Sequence, residues 1–162
     1  MKKQKGFSLI ELLIVVAIIL IIAAIAIPNL MRARMSANES SAAGSIRTIN
    51  TGEVSYATTY PSVGFTNLGA LGNGGTLVGT CTPAMATGCF IDNVLSSGQK
   101  EGYTFSATPG GAANNVNQTY VSLGTPNTLN GTGTRAFCSD QSGVIYYLAG
   151  AACTPTTGSV LQ

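Results

Sequence analysis

The feature that most constrains this chain is an uninterrupted apolar run near its N-terminus. Every residue in 12–27 is apolar, and in the five residues before it the only polar side chains are those of Ser8 and Glu11. An α-helix rises 1.5 Å per residue, so about 20 residues span the ~30 Å hydrocarbon core of a bilayer. The sequence therefore predicts a transmembrane or assembly helix over residues 7–28.

Two ordinary explanations of this run leave Glu11 without a role. A secretory signal peptide would use Lys2, Lys3 and Lys5 as its basic segment and 24–26 (Ala-Ile-Ala) as its cleavage site. However, the run is longer than the 7–15 apolar residues of such a peptide, and Glu11 lies where the apolar segment should begin. A plain membrane anchor would keep the lysines cytoplasmic, but it gives the carboxylate no function.

Glu11 is better explained as part of an assembly mechanism. An ionisable side chain within a membrane segment costs roughly 2.5–3.5 kcal/mol on insertion scales, so a partner should be sought for it. A cut between Gly6 and Phe7 would create an α-amino group about one helical turn from Glu11, or beside it in a staggered bundle of identical helices. Such a pair is stabilising in low dielectric only when the helices have the correct axial register.

The stretch KGFSLIELLIVVAIILIIAAIAIPNL resembles the N-terminal signature of the type IV pilin family, which includes the pseudopilins of type II secretion. The shared pattern is a short basic leader ending in Gly6, then Phe7, Glu11 and an apolar helix up to Pro28. The resemblance implies that a prepilin peptidase removes leader 1–6 by cutting between Gly6 and Phe7. It also implies that Phe7 is N-methylated, and that Phe7, Glu11 and Pro28 serve assembly.

The same resemblance implies the partners and the location of the chain. The precursor would reside in the bacterial inner membrane and then join a homopolymer of itself, a helical filament that forms an extracellular pilus or fimbrium. The nearest alternative is a major pseudopilin of a type II secretion system. A membrane-anchored binding domain that does not polymerise is the more distant alternative.

Residues 29–60 are predicted to continue the helix as its amphipathic half. Bulky residues recur there at helical spacing, with Glu53 in a gap of the series. This face should pack on the C-terminal domain, and the helix should end at Tyr60, because a residue before proline is disfavoured in the α region. The predicted face consists of Ala42, Ile46, Ile49, Glu53, Tyr56 and Tyr60.

Two further features of this half have open interpretations. Arg32 and Arg34 are predicted to be interfacial charges just outside the membrane, with a contact to Glu39 of another subunit as a less favoured alternative. Gly44 and Gly52 each lower helix propensity by about 1 kcal/mol relative to Ala. They either permit close packing or are simply tolerated.

The remainder of the chain predicts an irregular connection over 61–101 and an antiparallel sheet with a disulfide-closed end in 102–162. Glycines and a lack of periodicity indicate the connection, and strand-like segments alternate beyond it. The predicted strands are 102–108, 118–124, 134–139 and 143–149, with 108–118 as an exposed hairpin loop. The predicted fold class is α+β, in which a long N-terminal helix packs on a small four-stranded sheet as in type IV pilins.

Four cysteines in a chain with only 9% charged residues indicate disulfides formed in an oxidising compartment. Three pairings are possible, and the local one, Cys81–Cys89 with Cys138–Cys153, is favoured. Zinc is a weaker explanation, because the spacings contain no Cys-x2-Cys pair and the chain has no histidine.

Composition argues against an enzyme or a nucleic-acid-binding protein. There is no histidine, and the six acidic residues are scattered without a pair spaced for acid–base catalysis. Without the three leader lysines, five basic residues face six acidic ones, so no basic surface for nucleic acid is expected. No cofactor is expected, and a calcium site using Asp92 and Asp140 is a minor alternative.

Overall fold

The computed structural model describes residues 7–150 and 153–161. The chain divides into two compact units, Met1–Arg34 and Met35–Gln162. The predicted leader, 1–6, lies outside the described residues. Helix α1 (Leu9–Thr59) contributes its first part to one unit and its second part to the other.

In the first unit, the stretch 12–27 of α1 is apolar on all sides. Its large apolar side chains are between 46% and 80% exposed from Phe7 to Leu30. The helix continues through Pro28 without interruption. A helix that is apolar all round is typical of a membrane span or of a helix covered by other helices.

In the second unit, α1 is amphipathic, and its buried face is the one predicted. Ala42, Ile46, Ile49, Glu53 and Tyr56 are buried, and Tyr60 packs partly buried against the same core. The helix ends at Thr59, directly before the Tyr60-Pro61 pair. The other buried residues of this core include Leu68, Leu71, Leu95, Tyr103, Phe105, Phe137 and Ile145.

The sheet is an antiparallel meander of six strands in sequence order. The strands are β1 (Gln99–Lys100), β2 (Tyr103–Ala113), β3 (Val116–Pro126), β4 (Arg135–Asp140), β5 (Ile145–Ala149) and β6 (Ser159–Val160). The four predicted strands correspond to β2–β5, and the predicted total of four was wrong. The two additional strands have two residues each, too few for any alternation of apolar and polar residues to show.

The exposed loop predicted over 108–118 is wrong. Strands β2 and β3 continue through it, and Pro109 pairs with Tyr120. The turn is only Asn114-Asn115, with φ values of 52° and 63°. Positive φ at both central residues is the type I′ geometry, whose twist matches a two-residue hairpin.

The connection 61–101 is less irregular than predicted. It contains two one-turn helices, α2 (Leu68–Leu71) and α3 (Asn93–Ser96), and also strand β1. Asn67 and Asp92 are the N-caps of these helices, and each side chain accepts a hydrogen bond from a backbone N–H in the first turn. Short polar side chains are preferred at such positions.

Both disulfides have the favoured local pairing, Cys81–Cys89 and Cys138–Cys153. The first closes a loop within the connection. The second joins β4 to the C-terminal segment, and its two cysteines are buried with Ala136 in a small second core.

Candidate assembly site

The residues that the sequence assigns to assembly lie along the first part of α1. Phe7 precedes the helix and is 80% exposed, and Glu11 is in the first turn. Pro28 lies roughly 25 Å further along the helix axis at 1.5 Å per residue. Phe7 and Glu11 are therefore neighbours, whereas Pro28 is remote from both, and Gly6 lies outside the described residues.

Glu11 makes one hydrogen bond within the described residues. Its Oε2 accepts from the backbone N–H of Ser8 at 2.9 Å. Ser8 directly precedes α1, so Ser8-x-x-Glu11 is half of a capping box, in which a Glu side chain reaches back to the N-cap amide. The negative charge also lies at the positive end of the helix dipole.

Sequence reasoning missed this capping role. The signal was present, because Ser three residues before Glu at the start of an apolar run is a known pattern for a helix N-terminus. The cap uses one carboxylate oxygen. An ionised carboxylate accepts about four hydrogen bonds on its two oxygens, so Oε1 retains its capacity for a second donor.

An exposed apolar surface extends along α1 behind Glu11. From Phe7 to Met31, Glu11 is the only charged residue. By length and composition, α1 can cross a membrane. A contiguous apolar surface of this size is typical of a membrane or protein–protein contact.

Glu39 does not have the role suggested for it as a contact to Arg32 or Arg34 of another subunit. It is buried in the second unit, where Oε1 accepts from the Thr134 N–H and hydroxyl, both at 2.7 Å. Its Oε2 accepts from Arg135 Nε at 2.8 Å and lies 2.7 Å from Nη2. The alternative was wrong because Arg135 is already the counter-ion of Glu39. Arg135 lies nearly a hundred residues away in sequence, so this pair could not be predicted.

The environment of Glu39 favours its ionised form. Burial alone would raise the pKa of Glu39, but the hydrogen bonds from Thr134 and Arg135 outweigh burial and hold the pKa below its usual value. The Arg135 guanidinium also lies 5.7 Å from the Phe137 ring centre and 5.2 Å from that of Tyr147. This ion pair fastens the second half of α1 to β4.

The minor calcium alternative receives no support from the carboxylates involved. Asp92 caps α3 and pairs with Lys100 at 3.2 Å, and Asp140 accepts from the Ser142 N–H in a turn. Within 7–150 and 153–161, no group of three or more His, Cys, Asp or Glu side chains is placed to hold a metal ion.

Comparison with known proteins points to one family. A family model described as the prokaryotic N-terminal methylation motif matches residues 1–27. The type IV wide pilus major component PilA4 of Thermus thermophilus is 64% identical over 39 residues, which are 24% of this chain and 30% of that protein. The type IV major pilin protein PilA of Myxococcus xanthus is 44% identical over 54 residues, 33% of this chain and 24% of that protein.

These matches are partial. The matched stretches span less than a third of the relatives' own lengths. No solved structure matches the chain.

Proposed function

We propose that this chain is a member of the type IV pilin family and that it is a structural subunit that polymerises into an extracellular type IV pilus filament. One observation carries the proposal. The first part of α1 exposes apolar side chains all round, and Glu11 is the only charge between Phe7 and Met31. This surface requires lipid or other protein to cover it.

Assembly would transfer the apolar helix from the inner membrane into a bundle of like helices. Lipid tails and apolar side chains are similar solvents, so the hydrophobic effect contributes little to this transfer. Close packing and polar pairs must therefore decide which helices associate and in which register. Glu11 is suited to this task, because a mispaired carboxylate in an apolar bundle is costly.

The capping contact of Glu11 is compatible with this role. Oε2 accepts from the Ser8 amide of the same chain, and Oε1 would accept from the α-amino group of Phe7 in an adjacent copy. The cap holds the carboxylate at the helix start, where the incoming amine is needed. The pair would form after cleavage between Gly6 and Phe7 by a prepilin peptidase, with N-methylation of Phe7.

The match of residues 1–27 to the methylation motif supports this processing. Mass spectrometry of the mature chain should give N-methyl-Phe7 as the first residue. An intact Met1, or a start at Ile27 as expected for a secretory signal peptide, would contradict it.

The remaining features fit a subunit that leaves the inner membrane for the cell exterior. The second unit is closed by two disulfides, which persist in oxidising compartments. The relatives are named as pilus or pilin components. We infer a structural protein rather than an enzyme, with itself as the main partner.

The test is the substitution Glu11→Ala in cells that assemble the protein. We expect the chain to remain inserted in the membrane, while fibres sheared from the cells fall below detection. Glu101→Ala removes an exposed carboxylate of the second unit and should leave the fibre yield unchanged. Normal fibres from Glu11→Ala would refute the assembly role. A chain found only in short periplasmic filaments, without surface fibres, would identify it as a pseudopilin instead.

A further inference from the structure

A second carboxyl group of α1 is buried, and among residues 7–150 and 153–161 it has no counter-ion. Glu53 is fully buried. Its Oε2 accepts from the backbone N–H of Thr66 at 3.0 Å. Its Oε1 has no hydrogen-bond partner within the described residues.

In the part of the chain that the structure describes, other titratable groups lie near Glu53 but no positive charge compensates it. On β3, the Tyr120 phenol lies close enough that Glu53 contributes to the rise of the Tyr120 pKa, after burial and together with Asp140 of β4. The connection 61–67 contains no titratable side chain. Beside neighbouring Gly52, the chain presents the apolar side chains of Phe90 and Ile91.

The bond to Thr66 holds one side of a short connecting segment. Thr66 precedes Asn67, the N-cap of α2. On its other side, the segment is bound to β3 by Asn117, whose N–H donates to Val63 at 2.8 Å and whose oxygen accepts from the Phe65 N–H at 3.1 Å. The Asn117 side-chain amide also donates to the Phe65 carbonyl at 2.8 Å. Segment 61–67 is thus held between α1 and the β2–β3 hairpin.

We propose that Glu53 forms a pH-sensitive contact that fixes segment 61–67 to α1. The contact is stable while the carboxyl is neutral and opens more easily once the carboxyl ionises. The physical reason is the cost of a charge in an apolar site without a counter-ion. Movement of the segment carrying Thr66 away from α1 would open a path for water to the ionised carboxylate. Glu39, on the same face of α1, has Arg135 as its counter-ion and should not behave in this way.

The sign of the pH dependence follows from the pKa. Burial raises the pKa of Glu53 to about 7, although the Thr66 hydrogen bond acts in the opposite direction. In the open state the group would titrate near its ordinary value of 4.5. The open state therefore loses its proton first, and opening becomes easier as the pH rises from about 4.5 to about 7, with little change above that. With these two values, the opening constant should rise roughly 70-fold between pH 5 and pH 8.

The experiment measures backbone hydrogen exchange of 61–67 in the full mature chain, solubilised in detergent micelles. After correction for the intrinsic pH dependence of exchange, protection of the Thr66 amide should fall roughly 70-fold from pH 5 to pH 8. In Glu53→Gln, a neutral isostere that retains an acceptor for Thr66, protection should not depend on pH. The matched control Glu39→Gln should keep the wild-type dependence at Thr66.

A second measurement does not require any variant to fold. Carboxyl carbon NMR of the wild-type chain should show one glutamate titrating near pH 7, the pH above which the change in Thr66 exchange levels off. The proposal is overturned if every glutamate titrates near or below 4.5, or if Thr66 protection is independent of pH. It is also overturned if Glu53→Gln keeps the wild-type dependence. None of these outcomes depends on filament formation, so the proposed function is tested separately.

Discussion

The two halves of α1 place the same kinds of side chain in opposite environments. Ile18 in the first half is 51% exposed, whereas Ile46 in the second half is fully buried. The second half is covered by the sheet and the connection of its own chain. Within the described residues of its unit the first half has no such cover, so its apolar residues are available to lipid or to other proteins, whereas those of the second half stabilise the second unit.

The acidic residues of α1 differ in the same way. Glu11 makes a local capping bond to Ser8. Glu39 and Glu53 are buried against distant parts of the chain, one with a counter-ion and one without. A carboxylate in a helix therefore acquires its role from what the fold places beside it.

The comparison predicts that one substitution will have very different effects in the two halves. Ile46→Ala removes a fully buried side chain from the core and should lower the free energy of unfolding of the second unit by about 2–5 kcal/mol. Ile18→Ala should leave that free energy unchanged. Urea unfolding of the detergent-solubilised chain, followed by tyrosine circular dichroism, measures both. Equal losses from the two variants would show that the halves are not energetically distinct.

The Glu39–Arg135 pair extends the comparison to the pH dependence of the free energy of unfolding. At pH 7, Glu39→Gln should lower the free energy of unfolding by about 1.5–3 kcal/mol, the range for hydrogen bonds to charged groups. Because the pKa of Glu39 is lowered in the folded state, its stabilising effect is present above the ordinary value of 4.5 and is lost as the pH falls through the folded pKa.

Unfolding curves of the wild type and Glu39→Gln should therefore converge in acid. A difference that persists unchanged at pH 2 would mean that charge is not what Glu39 contributes. Glu101→Gln, which alters an exposed carboxylate, serves as the control and should differ little from the wild type at either pH.

The smallest expected effect concerns the two glycines of the second half. A Cβ at Gly44 would meet nothing within 4 Å, whereas one at Gly52 would lie 3.0 Å from Ile91 Cγ2. Gly44→Ala should raise the free energy of unfolding by about 0.5–1 kcal/mol through helix propensity. Gly52→Ala should gain less or be destabilising, since Ile91 must shift.

The same urea assay distinguishes these two variants. Equal stabilisation by both would mean that the contact at Gly52 imposes no cost. If Gly44→Ala stabilises the subunit but reduces the fibre yield, Gly44 would be required for close approach between copies rather than simply tolerated.

Much of α1 could be predicted from the sequence, because its properties are local. The apolar run, the helical spacing of the buried face and the end before Pro61 depend on residues within a few turns of one another. The local pairing of the cysteines was also confirmed. Short loops between paired cysteines favour such pairing without reference to the rest of the fold.

Features decided by pairing across the chain could not be predicted in this way. Strands β1 and β6 are too short to show a pattern, and they exist only because β2 and β5 offer backbone partners. Pro109 and the adjacent glycines suggested a loop, but pairing along β2 and β3 extends both strands to the turn at Asn114-Asn115. Local propensity is weak compared with the backbone hydrogen bonds of a long hairpin.

The sequence by itself determined that this chain contains a helix made for apolar surroundings, with one acid near the start of that helix and an amphipathic continuation. Only the tertiary structure decided which acid of that continuation has a counter-ion and which has only a hydrogen bond. Arg135, Thr134 and Thr66 are brought to the helix by folding. The physical reason is distance along the chain. Helical periodicity relates residues within a few turns of one another, whereas burial and ion pairing depend on groups that are far apart in the sequence.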